Sequence, residues 1–171
     1  MFKERIKMSI FISIASYQDP LLVSTIFSAY NNAQNKDELV FSVCDQSDSG
    51  IKLEEIEFSN QIHYEHIDPL FSKGPCWARH RAQSFFHDED FFLQIDSHTQ
   101  FAENWDLTFI EQLNKISSIE SDDGYFKKPI ITSYPRGFEV MDFEKGLFGL
   151  HMEDKFTQLI MYREDGLFSS G

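Results

Sequence analysis

Asp96 and His98 stand two positions apart at the end of the apolar run Phe91-Phe92-Leu93-Gln94-Ile95. A carboxylate and an imidazole at that spacing offer one oxygen and one nitrogen donor to a divalent cation. They face one point if the chain stays extended, because i and i+2 then project to the same side. Asp96-Ser97-His98 also reads as a helix N-cap followed by a surface histidine. The neighbouring residues favour the metal. Lys73, Arg79, His80 and Arg81 crowd into a short stretch of a chain with 15 Lys and Arg in all. Gly74-Pro75 opens a helix there, and its first amides carry unpaired N–H groups and partial positive charge. Arg79 lies in the first turns of that helix and can donate bidentately to a phosphate. A diphosphate held between the helix end, Arg79 and a metal on Asp96 and His98 is a coherent site. The aspartate suits Mg²⁺ or Mn²⁺, whereas the imidazole leans toward Mn²⁺.

The elements that must position these groups alternate between strand and helix. Ile10 to Ala15, Leu39 to Cys44 and Phe91 to Ile95 are short apolar runs of the buried kind, and Ile62 to Ile67 alternates like a strand with one exposed face. Asp19 is placed to cap a helix that starts at Pro20 and carries Leu22, Ile26, Ala29 and Tyr30 on one face. The helix from Pro75 has the stripe Trp77, Ala78, Ala82, Phe85 and Phe86, and a third helix spans Trp105 to Ile116. Ile130 to Tyr134 reads as a strand halted by Pro135, Phe156 to Tyr162 as another, and Asp165 to Gly171 as turn-like. This order predicts an α/β fold with a mostly parallel central sheet flanked by helices. Ligands of such sheets sit beyond the carboxyl ends of the strands. Ser16-Tyr17-Gln18, Asp45-Gln46 and Asp96-Ser97-His98 should meet there.

At 171 residues the chain is most simply one domain, residues 1–171, with 18 Phe to build its core. The formal net charge of −13 argues against a nucleic-acid binder and against an acidic membrane surface. No apolar run approaches the roughly 20 residues of a membrane span. Lys3, Arg5 and Lys7 before Met8 to Ala15 resemble a signal peptide, but the turn Ser16 to Pro20 makes the segment a first strand. Cys44 and Cys76 read as free thiols in a reducing, cytoplasmic compartment, with a disulfide between them as the alternative. No Gly-rich phosphate loop, G-x-S-x-G elbow or H-E-x-x-H is present, which removes the commonest kinase, hydrolase and zinc-protease readings. His63, His66, His80 and His87 have no ligand spacing, and Trp105 reads as core, with a sugar contact as the alternative.

In combination these motifs resemble a known family. Phe11-Ile12-Ser13-Ile14-Ala15-Ser16-Tyr17-Gln18-Asp19-Pro20, Gly74-Pro75-Cys76-Trp77-Ala78-Arg79, Leu93 to Phe101 with Trp105-Asp106, and Ile131-Thr132-Ser133-Tyr134-Pro135 are similar to segments of the N-acetylglucosaminyltransferases related to those that modify hydroxyproline. The resemblance implies a GT-A-like fold, a UDP-GlcNAc donor, a divalent metal (Mn²⁺ or Mg²⁺) and transfer to a hydroxyl with retention. Asp96 and His98 fall on the family's Asp-x-His metal motif, and Arg79 on the arginine near the diphosphate. Ser16, Tyr17 and Asp45 fall where such folds hold the nucleoside. The acceptor is a protein or a glycan. No catalytic base or nucleophile is assigned. Two departures stand out. The family commonly has Arg where this chain has Gln18. Relatives also continue past the position of Gly171, so a C-terminally truncated domain, a homodimer, a catalytically inactive nucleotide-sugar-binding module or an interaction protein are the alternatives to a complete enzyme.

Overall fold

Ile10–Tyr17 (β1), Leu39–Gln46 (β2), Ile62–Ile67 (β3) and Phe91–Asp96 (β4) pair in parallel in the order β3-β2-β1-β4. The computed structural model describes residues 8–121, 124–125, 129–133, 137–142, 147–150, 160–162 and 168–169. Within them, β1 is central, and Ile10, Phe11, Ile12 and Ile14 lose essentially all contact with water. Continuous apolar runs suit such a strand, because both faces of a parallel sheet are covered. The run Phe91 to Ile95 reads the same way, yet β4 borders β1 alone among the described strands, and its residues are half-buried or exposed.

The register explains why polar residues gather at one edge. Ser16 lies beside Asp45, Asp45 beside His66, and Ala15 beside Asp96. All four strands therefore end nearly level, each with polar side chains at its carboxyl end.

Helices Leu22–Asn32 (α1) and Pro75–Gln83 (α2) cover the sheet. Alternation along β2 sends Ser42 and Cys44 one way and Phe41 the other. Cys44 packs with Ala78 and Ala82 of α2, and Ser42 Oγ donates to the Ala82 carbonyl at 2.8 Å. Phe41 meets Phe58, which stacks on Tyr30 of α1 with ring centroids 3.6 Å apart. The small residues Ala78 and Ala82 let α2 approach the sheet closely. The helix opens as expected, with Gly74 at φ +90° before Pro75, a backbone state that favours glycine.

The start of α1 differs from expectation. The helix begins at Leu22 rather than Pro20, and Leu21 precedes it without a side-chain cap. Asp19 instead accepts from the Leu21 amide at 2.9 Å in an Asx-type turn. Its other oxygen is drawn elsewhere, as described below.

A third helix, Trp105–Ser117 (α3), starts where expected. Trp105 is buried and its Nε1 donates to the Ala29 carbonyl at 2.8 Å, which places it in the core. Asp106, also buried, accepts from the amides of Gln34 and Asn35, each at 2.9 Å, and from Asn35 Nδ2 at 3.1 Å. One carboxylate thus holds the connection between α1 and β2.

The chain forms two compact units, residues 1–106 and 107–171. In the second, Glu120–Ser121 pairs with Gly124–Tyr125, and Phe138–Asp142 with Leu147–Leu150; Ile160–Tyr162 lies between Ile131–Thr132 and Phe168–Ser169. Ile131–Thr132 and Ile160–Tyr162 fall within two predicted strands, whose remaining parts at Tyr134 and at residues 156–159 lie outside the described residues, as does Pro135. Phe168–Ser169 forms a strand in a tail expected to be turn-like; the rest of that tail lies outside the described residues. No described helix is long and apolar enough to cross a membrane.

Both cysteines are free, Cys44 buried and Cys76 exposed, so the disulfide alternative is set aside. Burial, reinforced by the Glu65 carboxylate, pushes the Cys44 thiol up to about 11. A thiol reagent at pH 8 should therefore label Cys76 rapidly and Cys44 only on unfolding; rapid labelling of both in the native protein would contradict this burial. Asp106→Ala should lower stability by about 3 kcal/mol, roughly 9 °C in Tm, because it strands buried amide donors. Thermal unfolding of the variant measures this, and an unchanged Tm would show that these bonds contribute nothing net.

Candidate functional site

Asp96 closes β4 at the carboxyl edge of the sheet, with its side chain 62% exposed. Its Oδ1 accepts from Arg79 Nη2 at 3.1 Å. Arg79 stands one turn into α2, and its Nε is buried with no hydrogen-bond partner. The ion pair itself is solvent-exposed, so it contributes only about 0–1 kcal/mol. One N–H of the guanidinium is thus left without an acceptor among the described residues. Gly74 and Pro75 place the N-terminus of α2 against the same edge of the sheet, where they line a cleft of about 520 Å³ with Ser16, Tyr17, Gln46 and Ser72.

The extended geometry that would set Asp96 and His98 on one side is not kept. The strand stops at Asp96, and Ser97 and His98 form a turn. Thr99 Oγ1 donates back to the Asp96 carbonyl at 2.9 Å, which bends the chain there. His98 Nδ1 then meets Asp19 Oδ2 at 2.7 Å, and Ser97 Oγ donates to the same oxygen at 2.7 Å. Burial raises the Asp19 carboxyl, but the bonds from His98, Ser97 and the Leu21 amide outweigh it and hold Asp19 below the ordinary carboxylate range. Asp19 is therefore ionised at neutral pH and can only accept, so the proton of this contact sits on His98 Nδ1.

The donor types, one carboxylate oxygen and one imidazole nitrogen, are ones a divalent cation accepts. The Asp96 oxygen not paired with Arg79 and the Nε2 of His98 are the groups available to hold it. A carboxylate on the far ring nitrogen is the usual companion of a metal-binding histidine. Among the described residues no cluster of three or more His, Cys, Asp or Glu is placed for a metal. Two protein ligands suit a cation whose other positions go to phosphate oxygens and water.

The nucleoside residues expected from sequence divide between two hollows. Ser16 and Tyr17 line the first; Ser16 is buried with an unpartnered Oγ, and Tyr17 is exposed. Asp45 lines a second hollow of about 320 Å³ with Gln18, Asp19, Asp48 and Gly50. Asp45 is buried and accepts from Tyr64 Oη at 2.8 Å, and that same oxygen accepts from the Ile51 amide at 2.8 Å. Burial, with the contact to Asp45, holds the Tyr64 phenol far above its ordinary value. Gly50 passes so close that a Cβ there would sit 2.8 Å from the Tyr64 oxygen, and its φ of +65° favours glycine independently. Gln18 holds a left-handed backbone at φ +48°, with its amide on the Gln46 carbonyl at 3.0 Å and its Nε2 on Asp48 at 3.1 Å. The two bonds thus brace the turn after β1.

Other candidates are structural. Arg81 pairs with Glu65 and lies over the Trp77 ring. His63 stacks on Phe85, and His66 bonds the Ser47 carbonyl.

Sequence reasoning missed Thr25. It is fully buried on α1; its Oγ1 donates to the Ser97 carbonyl at 2.6 Å and accepts from the Thr99 amide at 3.0 Å. Ser28 Oγ accepts from the Phe101 amide at 2.9 Å, and Ser24 Oγ from Gln100 Nε2 at 3.1 Å. The hint was a polar face, Ser24-Thr25-Ser28, running along an otherwise apolar helix.

A family model described as glycosyltransferase (GlcNAc) matches residues 49–154 of this chain. The match covers Arg79, Asp96 and His98, while Ser16, Tyr17, Asp19 and Asp45 precede it. No curated protein and no solved structure matches the chain.

Thr25→Val preserves shape and leaves the Ser97 carbonyl and the Thr99 amide unpaired. It should cost about 2 kcal/mol and speed hydrogen exchange at the Thr99 amide, with β1 and β2 amides unaffected. Unchanged protection at Thr99 would mean that the loop is held by something else.

Proposed function

The chain belongs to the GlcNAc glycosyltransferase family, and from that premise we propose that it binds UDP-GlcNAc with a divalent cation and transfers the sugar, with retention, to a hydroxyl of a protein or glycan acceptor. The observation that carries this reading is Arg79. Its guanidinium pairs with Asp96 at the carboxyl edge of the sheet and leaves its Nε without a hydrogen-bond partner. A nucleotide diphosphate supplies the acceptor oxygens that this group lacks, and the partial positive charge of the helix end favours the same anion.

Asp96 and His98 would hold the cation. Bound there, Mn²⁺ or Mg²⁺ would offset the charge that develops on a departing diphosphate. The remaining work falls to the chain itself. Arg79 orients the diphosphate. Ser16 and Tyr17 contact the nucleoside in the larger cleft; Ser16 Oγ donates to it or accepts from it, and the exposed Tyr17 ring offers a stacking surface. Asp45, held by Tyr64, contacts the nucleoside from the neighbouring hollow.

Titration of UDP into the protein with and without Mn²⁺ tests the binding half. Affinity should rise at least tenfold with Mn²⁺, and Asp96→Ala should abolish that increment. Incubation with UDP-GlcNAc and Mn²⁺ tests the chemistry: released UDP or transferred sugar supports a transferase. Thermal stabilisation by UDP without turnover would make the chain a nucleotide-sugar-binding module. Equal UDP affinity with and without metal, in wild type and Asp96→Ala alike, would overturn the reading.

A further inference from the structure

Asp19 lies 79 residues before His98 in sequence, yet its Oδ2 meets His98 Nδ1 at 2.7 Å. We propose that Asp19 is a positioning residue for the metal site: it holds His98 as the Nδ1–H tautomer, so that the lone pair of the neutral ring stands at Nε2, ready for a cation. The inference rests on the reading of Asp96 and His98 as metal ligands.

Three features separate this role from loop bracing alone. First, Asp19 is itself fixed. Its side chain is only 15% exposed, and its Oδ1 is taken by the Leu21 amide at 2.9 Å, so Oδ2 has little freedom. Second, Ser97 Oγ donates to the same Oδ2 at 2.7 Å and orients the carboxylate from a third direction. Third, His98 is 59% exposed, and among the described residues this is the bond that sets which ring nitrogen carries the proton. A free imidazole favours the Nε2–H form, with its lone pair on the other nitrogen. The Ser97 bond braces the loop whichever ring nitrogen of His98 carries the proton; the His98 bond alone sets the tautomer.

Asp19→Asn discriminates the two roles. The amide is nearly isosteric and its oxygen can still serve the Leu21 amide. Its NH₂ group then faces His98 Nδ1, becomes the donor, and reverses the tautomer. Ring ¹⁵N shifts of His98 at pH 8, without metal, should report Nδ1–H in the wild type and Nε2–H in Asp19→Asn. Mn²⁺ affinity in the presence of UDP, read from the free-Mn²⁺ electron paramagnetic resonance signal, should fall 10- to 100-fold in Asp19→Asn. It should stay within about threefold in Ser97→Ala, which loosens the brace and leaves the tautomer alone. An Nε2–H signal in the wild type overturns the proposal even if the variant does not fold. So does a wild type that binds Mn²⁺ beside an Asp19→Asn variant that binds it equally well. A wild type that binds no Mn²⁺ overturns both this proposal and the metal-dependent reading beneath it.

Discussion

A loop that leaves the end of a parallel strand has no ladder to hold it, and everything at this site depends on how the loop after β4 is held. The restraint comes from the other side of β1. Thr25, buried on α1, bonds both the Ser97 carbonyl and the Thr99 amide, and Asp19 bonds the side chains of Ser97 and His98. The Thr25 bond to the Ser97 carbonyl is buried, and a buried bond is costly to leave unmade, which helps hold the loop in this arrangement. Short polar side chains can do this because α1 packs close enough for a one-carbon reach. The strands set the height of the site, and α1 sets its shape.

Charge is arranged against the trend of the whole molecule. The chain carries a formal −13. At the carboxyl edge of the sheet lie Asp19, Asp45 and Asp96, a concentration of acid that would repel an anionic ligand. Arg79 and the N-terminus of α2 stand at the same edge and locally reverse the sign. The Arg79–Asp96 pair is weak because water reaches it. It keeps the guanidinium near the edge without locking it there. Asp45 is shielded differently: it is buried and accepts from Tyr64 Oη.

Backbone constraints mark the same region. Gly50, Gly74 and Gln18 adopt positive φ in connections at the carboxyl edge of the sheet; Asn104, before α3, is a fourth such residue and bonds the end of α1. Gly50 lets the loop pass against Tyr64, and Gly74 lets Pro75 start a helix whose N–H groups point outward. Away from the site the structure relaxes into ordinary packing, with aromatic rings of Phe11, Phe86 and Phe92 closing the amino-terminal end of the sheet.

The central strands and the helix starts were legible in the amino-acid order. Ile10 to Ala15, Leu39 to Cys44 and Ile62 to Ile67 became β1, β2 and β3 with two residues' difference at most, because hydrophobic period and turn residues are local signals. Gly74-Pro75 marked α2 for the same reason. Arg79 and Asp96 were brought together because right-handed parallel crossovers leave few alternatives once the strands are set. The tertiary structure alone decided the rest. Asp19 reads locally as a cap, and only the approach of a loop 79 residues away turned its second oxygen toward His98. Thr25 reads as an interruption of an apolar face, and only burial against Ser97 and Thr99 gave it a task. The exposure of β4 likewise follows from sheet order, which no single strand encodes. Pattern and propensity are properties of neighbours in sequence; a hydrogen bond between distant side chains exists only once the core has brought them together.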